Sequence, residues 1–266
     1  MNQRESLKIN EFGHLEIGGV DCNLLREKYG TPLYVMDQKY IENICKVYSK
    51  TLENEYGEGM IAYASKAFSC LEIYRIINKM GLGADSVSAG ELYTANKAGF
   101  PMQKICFHGN NKSKSELELA INYGVGYIVI DSYSEADDLE NLCATAQITQ
   151  KVLIRTNPGV EAHTHHFVQT AKVDSKFGFS IESGEAEKIV KYVKEKQHLD
   201  LVGLHCHIGS QIFEEKSFIL AIEKMTDFYK HLKTACNITF NVLNLGGGFG
   251  IWYADGDAKR SCEEYA

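Results

Sequence analysis

Seven short β-branched or aromatic runs alternate with amphipathic stretches rich in Glu, Lys, Leu and Ala, and this alternation constrains the fold most. It predicts strands near 60–65, 82–87, 104–108, 126–130, 151–155, 201–207 and 240–245. Helices are predicted near 69–80, 88–98, 113–123, 134–147, 183–196 and 215–235. Ser113 with Glu116 has the form of a capping box, and Asp131 with Glu135 and Ser183 with Glu187 offer similar helix starts. Repeated strand–helix–strand units imply a parallel sheet with crossover helices. An open doubly wound sheet and a closed barrel both satisfy that pattern. Polar residues at most strand ends (Ser65, Lys66, Asp85, His108, Arg155, His207 and Gly246 to Gly248) favour the barrel, because a doubly wound sheet gathers its site at one crevice. The expected fold class is therefore α/β, a (β/α)8 TIM barrel with about seven of its strands present.

The first forty residues depart from this pattern. Phe12 to Ile17 alternates with period two, and Pro32 to Asp37 reads as another strand, both expected to find their partners outside this chain. The predicted organisation is 1–40 as N-terminal strands of a β domain and 41–266 as a truncated barrel.

Composition narrows the function. A hydrophobic fraction of 44% with 15 Tyr and 12 Phe supplies ample core and excludes disorder. The longest apolar runs, such as Tyr127 to Ile130, are strand-length and far short of the ~20 residues of a membrane helix. The net charge of −7 argues against a nucleic-acid or anionic-membrane surface. Eight cysteines lie far apart with no Cys-x-x-Cys pair, which reads as reduced thiols of a cytoplasmic protein and not as a disulfide framework or zinc site. The N-terminus has no apolar signal segment. An enzyme or small-molecule binder is expected.

Several strand ends carry chemistry. Lys66 follows the apolar strand 60–65, where desolvation would make its amine a nucleophile toward carbonyls; a surface lysine is the plainer alternative. Asp85 ends the second strand and would orient an ammonium or cap the helix at 88. Gly246, Gly247 and Gly248 follow the last strand and suit an anion cradle of backbone N–H groups, or simply a tight turn. Period two places His205 and His207 on one face. A His-x-His pair can bind metal, although no carboxylate or thiolate stands at ligand spacing to complete a site; the alternative use of the flat His207 imidazole is stacking on an aromatic cofactor, with Ser210 able to donate to its phosphate. His163, His165 and His166 read as solvated loop residues. A lysine for an aldehyde, glycines for a phosphate and a histidine for a ring together suggest pyridoxal 5'-phosphate.

At these residues the sequence resembles the type III pyridoxal-phosphate decarboxylases with an alanine-racemase-like barrel, and among them the diaminopimelate decarboxylases. The matching segments occur in the family's order between about residues 12 and 253. They are Tyr63 to Ala67, Asp85 to Tyr93, Phe107 to Ser113, Asn157 to Val160, Ser175 to Gly178, His205 to Gln211 and Leu245 to Gly250. The resemblance implies that Lys66 carries the cofactor covalently, Asp85 holds the lysine end in place and Arg155 lines the cofactor side. It also implies that His207 stacks on the pyridine ring and that Ser210 with Gly246 to Gly248 binds phosphate. The implied reaction is decarboxylation of meso-2,6-diaminopimelate to L-lysine and CO2 by a cytoplasmic homodimer. Family members are longer, with a Glu-Pro-Gly-Arg segment and a C-terminal β domain carrying Cys-Glu-Ser. Neither segment occurs here, so the chain is expected to be the N-terminal part of such an enzyme, inactive alone. The alternatives are a non-catalytic cofactor-binding fragment, half of a split enzyme, or another amino-acid decarboxylase or a racemase on the same barrel.

Overall fold

The computed structural model describes residues 6–160, 177–253 and 257–265. The His163–His166 cluster, Ser175 and Lys176 lie outside the described residues. The chain begins with β1 (Leu7–Ile9), β2 (Leu15–Ile17) and β3 (Val20–Asp21), an antiparallel sheet in that order. The period-two segment thus pairs within this chain, contrary to expectation, and Phe12 and Gly13 belong to the turn that brings β2 back onto β1. Helix α1 (Cys22–Tyr29) starts at Asp21, whose carboxylate accepts from the Asn23 N–H at 2.7 Å and from Asn10 at 2.9 Å. The strand expected at Pro32 to Asp37 is not formed. Among the described residues that segment pairs with no strand, and its last residue is instead the N-cap of α2 (Gln38–Glu55), accepting from the Tyr40 N–H.

The alternating units follow. They are β4 (Ala62–Ala64), α3 (Leu71–Lys79), β5 (Gly83–Ser86), α4 (Ala89–Lys97), β6 (Ile105–Phe107) and α5 (Lys114–Tyr123). Next come β7 (Tyr127–Ile130), α6 (Tyr133–Ala146), β8 (Gln150–Asn157), β9 (Phe179–Ser180), α7 (Glu185–Lys194) and β10 (Leu199–His205). Helix α8 (Glu215–Cys236), β11 (Val242–Asn244) and α9 (Cys262–Tyr265) complete the chain. The main path runs β4-β5-β6-β7-β8-β10-β11, parallel throughout, and the short β9 adds to β8. These seven strands are the ones the sequence predicts, five of them trimmed at their ends, β8 extended beyond the expected 151–155 and β10 starting and ending two residues before the expected 201–207. Strands β4 and β11 are the two edges, so the sheet is an incomplete (β/α)8 barrel.

Alternation along each strand separates two apolar layers. Ile105, Phe107, Ile128, Ile130 and Ile154 pack outward against the helices, meeting Ile77, Leu117 and Leu139. Cys106, Val129 and Leu153 point the other way and form the inner layer. Each fully buried aliphatic contributes roughly 1.5–3 kcal/mol relative to exposure, so the helix-facing layer dominates stability. The capping box at Ser113 and Glu116 is present. The other two expected starts shift by one residue. Ser132, not Asp131, caps α6, and Gly184, not Ser183, is the N-cap of α7. Glu135 still folds back, accepting from the Asp131 N–H. Ser88 caps α4, which frees Asp85 from the capping alternative.

Candidate cofactor site

The inner-facing residues nearest the strand C-termini build the site. Register places Asp85 beside Ala64 and Cys106, and places His205 between Arg155 and Asn244. Beyond these ends lies a cavity of about 290 Å³ lined by Lys66, Arg155, His207 and Ser210. Val87, His108, Gly109, Asn110 and Phe177 complete its wall. Four of the eight residues singled out from sequence therefore meet in one cavity, at the face where barrel enzymes place their chemistry. Lys66 sits in a single 3-10 turn after β4 and is exposed, not desolvated as expected, because β4 is an edge strand with no neighbour to cover it.

Asp85 lies behind the cavity wall and faces His108, with Oδ2 2.9 Å from Nε2. Among the described residues no ion pair joins it to Lys66. The His108 ring lies 5.7 Å from that of His205 at an interplanar angle of 29°. His205 is fully enclosed and its pKa falls well below the usual imidazole value, chiefly through burial and then through His108 and Arg155. His207 is pushed down to about 3 by burial and then by the nearby Lys66, Arg155 and His108 charges. Both rings are therefore neutral near pH 7. The Gly247 N–H donates to His207 Nδ1 at 3.4 Å, which puts the ring hydrogen on Nε2. Arg155 lies 4.3 Å above the Phe177 ring and 3.9 Å from Asp131, and its own burial lowers its pKa. Desolvation raises the Asp131 pKa, with Arg155 opposing it. Beneath the loop after β6, Lys112 and Glu135 form a buried pair at 2.7 Å. The Lys112 ammonium also donates to the Gly109 and Val129 carbonyls, fixing the segment that carries His108 and Asn110.

The glycines pack behind His207 instead of lining the cavity. The Gly246 N–H donates to Asn244 Oδ1 and the Gly247 N–H to His207, so these two groups are already engaged. The glycine requirement here is steric. A Cβ on Gly248 (φ +103°) would lie 1.9 Å from the Gly209 carbonyl oxygen, and one on Gly246 (φ +71°) 2.5 Å from that of Cys206. Gly247 has open space around it. Gly248→Ala is accordingly expected to destabilise the chain by at least about 2 kcal/mol. Gly247→Ala should change the urea midpoint little, and equal midpoints for the two variants would refute the close-packing argument.

Sequence reasoning assigned no role to His108, Asn110 or Phe177. His108 was visible as a polar residue ending a strand, whereas Phe177 reaches the cavity from a connection that periodicity does not place. The cavity fits pyridoxal phosphate on its own chemistry. Asp85 Oδ1, His108 Nδ1 and the hydroxyls of Ser65 and Ser86 are buried without a hydrogen-bond partner among the described residues. Such groups are costly unless a polar occupant or water meets them. An amine, a guanidinium, a flat neutral imidazole and a hydroxyl converge on the same space.

Residues 41–266 match the family described as "Pyridoxal-dependent decarboxylase, pyridoxal binding domain". The chain is 45% identical to the diaminopimelate decarboxylase of Bacillus methanolicus over 258 residues, covering 97% of this chain and 60% of that protein. It is 46% identical to that of Bacillus subtilis, covering 96% and 58%. Diaminopimelate decarboxylase from M. jannaschii in complex with L-lysine superposes with a TM-score of 0.90 at 37% identity, covering 99% of this chain and 61% of that one. The chain thus spans about 60% of the length of these relatives. With its incomplete barrel and its match over residues 41–266, the chain belongs to the pyridoxal-dependent decarboxylases, as their pyridoxal-binding domain.

Proposed function

We propose that this chain is the cofactor-binding part of an enzyme that converts meso-2,6-diaminopimelate to L-lysine and CO2. The observation that carries this reading is the meeting of Lys66, Arg155, His207 and Ser210 in one cavity at the strand C-termini. The 45% identity to a named diaminopimelate decarboxylase supports the choice of substrate. The enzyme acts as a cytoplasmic homodimer in this reading, and residues 1–40 belong to a β domain that the barrel shares with the rest of the protein. The unpaired cysteines agree with a reducing compartment.

Each residue has a part. Bound pyridoxal phosphate supplies the electron sink for the pair released when the carboxylate leaves. The Lys66 amine, at the cavity mouth, holds the cofactor through its aldehyde carbon. His207, neutral and oriented by Gly247, would present a ring face to the pyridine without adding positive charge. Ser210 would donate its hydroxyl hydrogen to the phosphate, and the glycine turn holds the His207–Gly209 segment in place. Arg155, held between Phe177 and Asp131, sets the polar wall on the cofactor side. Asp85 acts through His108, and does not hold Lys66 directly.

The test is release of CO2 and L-lysine from meso-diaminopimelate by protein that includes the region its relatives carry beyond this span. No release by soluble protein loaded with cofactor would refute the assignment. Within that protein, His207→Ala is expected to weaken cofactor binding and slow turnover by up to ~10-fold, a stacked aromatic pair being worth about 0.5–1.5 kcal/mol. His205→Ala should mainly lower stability, since His205 is buried behind the wall. Equal effects of both variants on the cofactor dissociation constant would remove His207 from the ring face.

A further inference from the structure

We propose that Glu187, His231 and Cys236 form a binding site for a divalent cation of the zinc class, outside the cofactor cavity. Glu187 lies in the first turn of α7, while His231 and Cys236 lie in the last turns of α8. The two helices bring a carboxylate oxygen, an imidazole nitrogen and a thiol sulfur within 4.8 Å of one another. His231 Nε2 is 2.7 Å from Glu187 Oε2, and the Cys236 thiol donates to Glu187 Oε1 at 3.7 Å. Tetrahedral zinc, with bonds of about 2.0 Å to nitrogen or oxygen and about 2.3 Å to sulfur, needs roughly 3.3 Å between N and O and roughly 3.5 Å between S and O. The sulfur lies within a few tenths of an ångström of that spacing from Oε1 and the imidazole nitrogen bonds Oε2, so a small rotation of the Glu187 carboxylate would present one oxygen to both. The nitrogen edge has only to open as its hydrogen bond is exchanged for a metal bond.

The donor set selects the ion. Thiolate with imidazole favours zinc and its neighbours over magnesium or calcium, which take oxygen ligands. Three protein ligands leave a fourth position for water. Glu187 and His231 also line a cavity of about 540 Å³ with Asp227 and Lys224, which gives an ion a path from solvent and room for that water. At present the Lys191 ammonium stands 2.5 Å from Glu187 Oε1 and is the site's internal competitor. Lys191 is half exposed one turn along α7, so it can swing into solvent when a cation arrives. Binding releases the Cys236 proton to solvent, forms metal bonds to sulfur, nitrogen and oxygen, and exchanges the Lys191 contact for one with the ion. No sequence spacing announces the site, because its ligands come from helices separated by β10.

The experiment is titration of the full chain with Co2+ alone, followed by Zn2+. The expected result is a thiolate-to-cobalt charge-transfer band that saturates at one equivalent and is bleached by zinc. Cys236→Ser should abolish the band, and His231→Asn and Glu187→Gln should each weaken affinity by ~10- to 100-fold or more. Lys191→Met should tighten binding by removing the competing ammonium. Absence of the band, or its persistence in Cys236→Ser, overturns the proposal. His231 is exposed and replaceable without disturbing the core, so unchanged affinity in folded His231→Asn overturns it as well.

Discussion

In protein that includes the region its relatives carry beyond this span, Lys66→Ala is expected to lower the proposed decarboxylation by at least ~10³-fold, the scale of losing one group that acts in the transition state, while soluble yield and thermal midpoint stay near those of the parent. The two halves of this expectation have separate physical grounds. Lys66 is exposed, and no hydrogen bond or ion pair to its side chain is found among the described residues, so truncating it removes little packing. Surface changes of that kind usually stay within about 0.5 kcal/mol. Chemically, however, Lys66 is the one lysine on the cavity wall among the described residues. A steady-state assay with saturating pyridoxal phosphate, paired with a thermal melt, reads both. Retained turnover would show that the cofactor's aldehyde is held elsewhere, and a collapsed melting point would show that Lys66 is structural.

Residues 1–266 expressed alone are expected to release CO2 from diaminopimelate at less than ~1% of the rate of protein extended by the region its relatives carry beyond this span, even one missing charge-stabilising group costing ~10²–10³-fold. The structure gives the reasons. Strands β4 and β11 have open edges, which favours association between chains over closure of the barrel. Lys66 stands on the turn that leaves one of those edges, so the cofactor would be open to water on that side. Near the N-terminus, Ile9, Phe12, Tyr34 and Met36 are all more than half exposed, Tyr34 almost completely. These side chains have no cover within the described residues. Soluble yield and specific activity of the two proteins, measured side by side, decide the matter, and comparable specific activity would overturn it.

The barrel strands and helices were legible because each is a strong local signal reinforced by its neighbours. The outward and inward sides of β6, β7 and β8 follow from period two in Ile105 to Phe107, Tyr127 to Ile130 and Val152 to Arg155. The capping box of α5 needs only Ser113 and Glu116, three residues apart. Pro32 to Asp37 was misread because an apolar run carries no information about whether a partner strand exists. Asp37 had a competing local use as a helix cap, and that use won. The site was legible in its residues but not in their connections. Lys66, Arg155, His207 and Ser210 end strands or follow them, so topology alone brings them together. The engagement of Asp85 with His108 depends on a lateral contact between the ends of β5 and β6, which no single-strand pattern encodes. Likewise the glycine turn was identifiable by composition. Only the 1.9 Å approach to the Gly209 oxygen shows that Gly248 is required by packing against the His207 loop.

Borohydride reduction of the pyridoxal-phosphate-loaded protein, followed by peptide mapping, tests most directly whether Lys66 holds the cofactor. The expected result is one labelled peptide containing Lys66, with the label absent from Lys66→Ala. A label on another lysine, such as the buried Lys112, or equal labelling of Lys66→Ala, would contradict the assignment of the site.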